Sequence, residues 1–161
     1  MSITSIDTDP DRLTVTLIAD FTASVERVWE LWADPRKLER WWGPPDYPAT
    51  FEKHDLVPGG EVTYFMTGPD GGRSHGLWRM TAVDPPTSLE FTDVFANADG
   101  TPISDMPVTE VSVHLTERDS GTRMETRQRF QSREDLEKWL DTGTLEGQQQ
   151  AIAQMDVLLD L

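Results

Sequence analysis

The residues able to move protons or hold metals come first, because their spacing decides what they can do together. The three histidines are His54, His75 and His114. They stand far apart with no HExxH-type pair, and the neighbours His54 and Asp55 point to opposite faces of an extended chain. No metal site is expected from them. The sequence has no cysteine, which excludes thiolate catalysis, disulfides and Cys-based zinc sites. Pro58-Gly59-Gly60 and Gly71-Gly72 match neither a P-loop nor a GxGxxG fingerprint and read as turns, so no cofactor is implied. No Ser-His-Asp set is evident.

One carboxylate stands out through strand alternation. If the inner face of a sheet carries Tyr64 and Met66, Trp78 and Met80, Phe91 and Phe95, Val111, Val113 and Leu115, and Met124 and Phe130, the same parity turns Asp93, Thr126 and Gln128 inward. Polar groups inside an apolar row need partners, which are each other, water or a ligand. A carboxylate there is expected to have a raised pKa or a partner. Two placements stay open for Asp93: the sheet end, wetted or bonded to a loop, and a pocket wall. His75, His114 and Glu90 fall on the opposite register. Asp93 is then the one interior acid with no base fixed beside it, and acid–base catalysis usually needs a matched pair. The count of groups favours binding over catalysis.

Six tryptophans are many for 161 residues. Trp29 and Trp32 read as core. Trp41, Trp42 and Trp78 are balanced between core and the wall of an apolar cavity. Arg123, Arg127 and Arg129, with Arg133 beyond them, form a basic stripe opposite the apolar face. They either hold an anionic partner or pair across strands with carboxylates such as Glu110, each pair adding about 0.2–1 kcal/mol.

The elements that must position these residues follow from periodicity. Residues 1–11 read as frayed. Leu13, Val15, Leu17, Ala19 and Phe21 alternate with polar residues as a strand. Val25, Val28, Trp29 and Trp32 repeat at helical spacing behind a Thr22 or Ser24 cap. Asp34-Pro35 opens a second short helix carrying Leu38, Trp41 and Trp42. Strands are expected over 49–57, 61–67, 74–83, 88–96, 108–117 and 122–130, joined by short Gly/Pro/Asp turns as an antiparallel meander. From Ser132 to Leu161 the pattern is helical, with Gly143 and Gly147 either breaking the helix or allowing close approach. The economical packing is α+β, a curved antiparallel sheet wrapped around the C-terminal helix, in a single domain over residues 1–161. The wedge between them is either packed solid or hollow.

Lys plus Arg is 14 and Asp plus Glu is 29, a net charge of −15. Such a surface repels phosphate backbones and anionic leaflets, so neither nucleic acid nor membrane is an expected partner. No apolar run approaches the ~20 residues of a membrane span, and the polar N-terminus lacks the pattern of a signal peptide. The chain reads as a cytoplasmic protein.

Several segments in this order resemble a known family. They are Ala23-Ser24-Val25-Glu26-Arg27-Val28-Trp29, Leu38-Glu39-Arg40-Trp41-Trp42-Gly43-Pro44, Asp55-Leu56-Val57-Pro58-Gly59-Gly60, Gly68-Pro69-Asp70-Gly71, Val83-Asp84-Pro85-Pro86-Thr87-Ser88-Leu89, Leu145-Glu146-Gly147 and Met155-Asp156-Val157-Leu158-Leu159. Together they resemble the AHSA-type domain, named after the activator of the heat-shock protein ninety ATPase, within the START and birch-pollen-allergen (SRPBCC) superfamily. The resemblance spans Leu13 to Leu161 and implies the helix-grip fold. It also implies ligands such as lipids, hormones and polyketides, cyclase or hydrolase activity in some members, and unassigned activity in most small bacterial ones.

Three functions follow as expectations. The first is binding of an apolar or aromatic small molecule between sheet and C-terminal helix. Trp41, Trp42, Tyr64, Met66, Trp78, Met80 and Phe91 would be its walls, Asp93 and Gln128 its polar contacts, and Gly143 and Gly147 its helix side. The second is a cyclase or hydrolase using Asp93. The third is association with a chaperone in a stress response, for which this chain lacks the separate N-terminal domain of the eukaryotic co-chaperone. A homodimer through an edge strand near residues 12–20 is a further expectation.

Overall fold

The computed structural model describes residues 3–160. In chain order the elements are β1 (Ile3–Asp9), β2 (Thr14–Phe21), α1 (Val25–Ala33), α2 (Pro35–Leu38), β3 (Ala49–His54), β4 (Glu61–Thr67), β5 (Arg73–Asp84), β6 (Ser88–Ala96), β7 (Val108–Arg118), β8 (Gly121–Arg129), α3 (Arg133–Asp141) and α4 (Thr144–Leu159). The strands form one antiparallel sheet in the order β1-β2-β8-β7-β6-β5-β4-β3. This curved sheet with its C-terminal helix is the helix-grip, α+β architecture.

Alternation sets which face is buried. On β2, Val15, Leu17, Ala19 and Phe21 are buried, and on β7 and β8 so are Val111, Val113, Leu115 and Met124. Ala151, Ile152, Met155 and Leu159 of α4 join the same core. The helices start where their caps predict. Ser24 accepts from the Arg27 amide, Asp34 from Arg36 with Pro35 behind it, and Ser132 from Asp135.

The N-terminus departs from expectation. Residues 3–9 are not frayed but pair along β2, with Ile6 opposite Leu17 and Thr8 opposite Val15. The segment is exposed on both faces, so it carries no alternation to read, and backbone pairing alone makes it a strand. It also covers β2. The segment near residues 12–20, expected as an edge for pairing subunits, is therefore interior to the sheet, whose edges are β1 and β3. Met1, Ser2 and Leu161 lie outside the described residues.

The C-terminal segment is two helices. Gly143 sits at φ +80 and breaks the helix between α3 and α4, a backbone region costly for residues with a Cβ. Gly147 stays helical, and a Cβ there would meet Pro44 Cγ at 3.4 Å, an ordinary contact, so one glycine breaks the helix and the other leaves room for a side chain.

Two side chains fix α4 in place. Gln154 Nε2 donates to the carbonyls of Trp41 (3.1 Å) and Gly43 (2.7 Å). The Arg27 guanidinium donates to the Leu159 carbonyl at 2.7 Å, satisfying a free carbonyl at the helix C-terminus. Gln154→Ala leaves two loop carbonyls without their donor, and is expected to lower stability by about 1–2 kcal/mol in urea unfolding with an unchanged m-value. An unchanged midpoint would show that this contact carries no stability.

Candidate functional site

The site begins with a missing side chain. Tyr64 on β4 stands directly opposite Gly76 on β5. A Cβ at position 76 would lie 2.3 Å from Tyr64 Cζ and 2.4 Å from its oxygen. The tyrosine ring therefore lies across β5 in space that only glycine leaves open. From there Tyr64 Oη donates to Asp93 Oδ1 on β6 at 3.1 Å, a bond that spans two strands.

This placement sets the electrostatics of the pair. Burial pushes the Asp93 carboxyl up to about 7, against the opposing effect of the hydrogen bond from Tyr64. The Tyr64 phenol is held well above its usual range by its own burial and by the charge of Asp93. The indole N–H groups of Trp42 and Trp78 lie close enough to favour the phenolate slightly, yet neither makes a hydrogen bond of ordinary geometry with a described residue. Asp93 therefore exchanges its proton near neutrality.

Beside this pair lies a cavity of about 490 Å³ between the inner sheet face, the 41–47 loop and the α3–α4 junction, within the usual range of small-molecule sites. Its sheet wall carries a polar row. Thr109 on β7 faces Asp93 across the β6–β7 ladder, and such neighbours have Cβ atoms about 4.5–5.5 Å apart. Thr109 is 4% exposed and Thr126 9%. Both line the cavity, and neither hydroxyl has a hydrogen-bond partner among the described residues. Gln128, 2% exposed, is paired. Its amide exchanges two hydrogen bonds with Gln148 of α4, at 2.9 and 2.7 Å, closing the space between sheet and helix.

Of the residues expected at a site, Trp41, Trp42, Tyr64, Met66, Asp93, Gln128, Gly143 and Gly147 come together on the cavity wall. Trp78, Met80 and Phe91 do not. They are 0%, 3% and 1% exposed and pack behind the wall, Trp78 stacked on Phe91 at 4.2 Å and edge-on to Trp42 at 4.8 Å. Asp93 is half-buried on the cavity wall, and its protein partner is a tyrosine, not a loop. Thr109, Gln148 and Trp139 line the cavity as well, and sequence reasoning missed them. The parity rule that placed Thr126 also fits Thr109, whereas nothing local marks Gln148 as the partner of Gln128.

The remaining candidates lie elsewhere. Arg123 forms a bidentate pair with Asp20 on β2 at 2.8 and 2.9 Å, which holds the Asp20 carboxyl below its usual range. Arg129 pairs with Glu110 at 2.7 Å and Arg133 with Asp11 at 2.9 Å. The basic stripe is thus matched by neighbouring carboxylates. His54 contacts the Trp32 carbonyl at 3.1 Å, and His114 is exposed. No group of three or more potential metal ligands occurs among the described residues, and no described helix is long and apolar enough to cross a membrane.

Comparison with known proteins adds the relatives. Residues 22–160 match the family described as Activator of Hsp90 ATPase homolog 1-like protein. A crystal structure of a Mycobacterium smegmatis protein is 50% identical, with 98% of this chain and 96% of that one covered and a TM-score of 0.91. A solution structure from Arthrobacter aurescens is 43% identical, covering 99% and 92%, with a TM-score of 0.95. An AHSA1 protein from Silicibacter pomeroyi, at 21% identity, covers 91% and 97% with a TM-score of 0.73 and shares the fold. No curated protein matches the chain.

Two outcomes test the geometry. Gly76→Ala forces the Tyr64 ring aside and is expected to cost about 1–3 kcal/mol, as overpacking does. In a Tyr64→Ala background the same change should cost far less. Equal costs in both backgrounds would mean that the ring does not fill the notch. The second outcome concerns pH. The folded-state pKa of Asp93, about 7, lies above the unfolded value of about 3.9. The folded state therefore holds the extra proton, and stability falls as pH rises from about 4 to about 7. Asp93→Asn lacks this loss, so its melting temperature should gain on the parent through that window and level off above it. A constant difference across the window would contradict the assignment.

Proposed function

The chain belongs to the Activator of Hsp90 ATPase homolog 1-like family, and within it we propose that this protein is a binding protein for an apolar small molecule held between the sheet and α4. The observation that carries this reading is the cavity itself, of about 490 Å³, with Trp42, Met66, Met124 and Ile152 on its walls and two threonines, Thr109 and Thr126, whose accessible hydroxyls have no protein partner among the described residues. A structural void in a well-packed core is small and apolar. This one is large, and its unpaired hydroxyls offer hydrogen bonds to a guest.

A catalytic reading is favoured by one observation, the Asp93 carboxyl poised near neutrality, where proton transfer is efficient. Tyr64 donates to the same carboxyl and is itself a weak acid held higher still, so the pair supplies one proton-exchanging group and no matched second base. Binding is the reading with more support. Association with a chaperone rests on the family description alone.

The test is native mass spectrometry of protein purified from cells, together with binding of a neutral apolar dye. A co-purified mass of hydrophobic character, displaced by the dye, is expected. The Gly147→Leu variant sharpens the result. A leucine there replaces a helical glycine, gaining up to about 1 kcal/mol of helix propensity. Its side chain also extends into the gap beside Pro44 at the cavity wall. The variant should melt no lower than the parent and bind dye at least about tenfold more weakly. Unchanged dye binding, or a parent protein that takes up no dye, would contradict the proposal.

A further inference from the structure

The charges around the cavity are one-sided. Three carboxylates line it, Asp93 inside and Asp46 and Glu146 at its exposed rim, and no lysine or arginine side chain lies on its wall. His75 supplies the one ionisable nitrogen of the lining, and its ring packs beside Phe65 at 5.5 Å. The whole chain carries −15. A ligand with a carboxylate or phosphate head would meet Asp93 with no cation to balance either charge, and unpaired charge in a desolvated site is costly.

The inner end of the cavity has the opposite preference. Asp93 accepts from Tyr64 through Oδ1, while its Oδ2 accepts no hydrogen bond from any described residue. Thr109, directly across the ladder, is more than nine-tenths buried with an unpartnered hydroxyl on the cavity wall. The two acceptor oxygens sit on neighbouring strands, close enough for one small donor group to reach both. The Trp42 ring lines the same cavity, and indole faces attract cations.

The geometry points to a ligand class: an apolar or aromatic amine, its hydrocarbon body against the tryptophans and its ammonium group between Asp93 Oδ2 and the Thr109 hydroxyl. This rests on the cavity being the binding site proposed above. An ammonium supplies the charge and the donors that this end of the cavity lacks, and it makes ionised Asp93 a paired group instead of an isolated one. Binding should therefore release protons near pH 7. The titratable groups that would sense the same ligand are Tyr64, in contact with Asp93, and Asp46, Glu146 and His75 at the rim.

Three probes of matched body separate the possibilities: 4-phenylbutylamine, 4-phenylbutanol and 4-phenylbutyrate, titrated calorimetrically into the purified chain at pH 7.5. The amine should bind at least about tenfold more tightly than the alcohol, with the acid weakest. Its binding heat should vary with the ionisation heat of the buffer, and more strongly at pH 6.5 than at pH 7.5, where most of Asp93 is already ionised. Asp93→Asn should bring the amine down to the affinity of the alcohol, so that their ratio falls from at least about tenfold to about one. Glu137→Gln, which removes an exposed charge on α3 remote from the polar row, should leave all three unchanged and so rule out an effect of net charge alone. If the alcohol or the acid binds as tightly as the amine, or if Asp93→Asn leaves the preference intact, the amine assignment falls while the pocket stands. If no probe binds but a neutral apolar dye does, the assignment falls in the same way. If the dye fails as well, the binding-protein reading falls with it.

Discussion

The absence of a Cβ at Gly76 lets the Tyr64 ring lie across β5 and bond to Asp93 two strands away. Close-packed sheets seldom let a side chain bridge a strand, because the intervening residue fills the space. Here the intervening residue is glycine, and the polar pair it permits is anchored on strands, not loops. Asp93 is oriented by Tyr64 yet keeps one oxygen for the cavity. The electrostatics follow: burial disfavours the carboxylate, a single hydrogen bond partly restores it, and the result is a carboxyl that exchanges its proton near neutrality.

The aromatic cluster around that pair makes it rigid. Trp32, Trp41, Trp42, Phe51, Trp78 and Phe91 meet edge-on, tilted or stacked, with centroids from 4.2 Å apart. Such pairs contribute about 0.5–1.5 kcal/mol each beyond their burial. Trp41 is further tied by its indole N–H to the Leu31 carbonyl at 2.8 Å. Trp78 and Phe91 fill the back of this cluster, while Trp32, Trp41 and Trp42 also face the cavity. The cavity extends from these rings to the point where the chain breaks at Gly143 and α4 is held to the sheet by the Gln128–Gln148 amide pair. The later turns of α4 are docked through Gln154 and Arg27, and its first turns through Gln148.

Strand alternation made the sheet legible from sequence, since period two needs no knowledge of partners. It placed Thr126 and Gln128 inside and His114 and Glu90 outside, as the burial pattern has them, while Asp93, left open between sheet end and pocket wall, is half-buried and lines the cavity. The family resemblance agreed with the matched model and the solved relatives. What local pattern could not carry was pairing across space. β1 is exposed and polar on both faces, so only its ladder with β2 defines it. Gly76 carries no local signal of its role, because that role lies in Tyr64, twelve residues earlier. Trp78, Met80 and Phe91 share the parity of the cavity wall, but position along the strand, which sequence does not give, puts them under the tryptophans.

The claim on which the rest stands is that Asp93, half-buried beside one donor and no cation, holds its proton to near neutrality. A carbon-13 NMR titration of the aspartate side-chain carboxyls, with Asp93 assigned by its loss in Asp93→Asn, measures this directly. The structure predicts a midpoint at about 7. A midpoint at about 4, the ordinary value for aspartate, would mean that water or a cation reaches the carboxyl, and would remove the physical basis for the site described above.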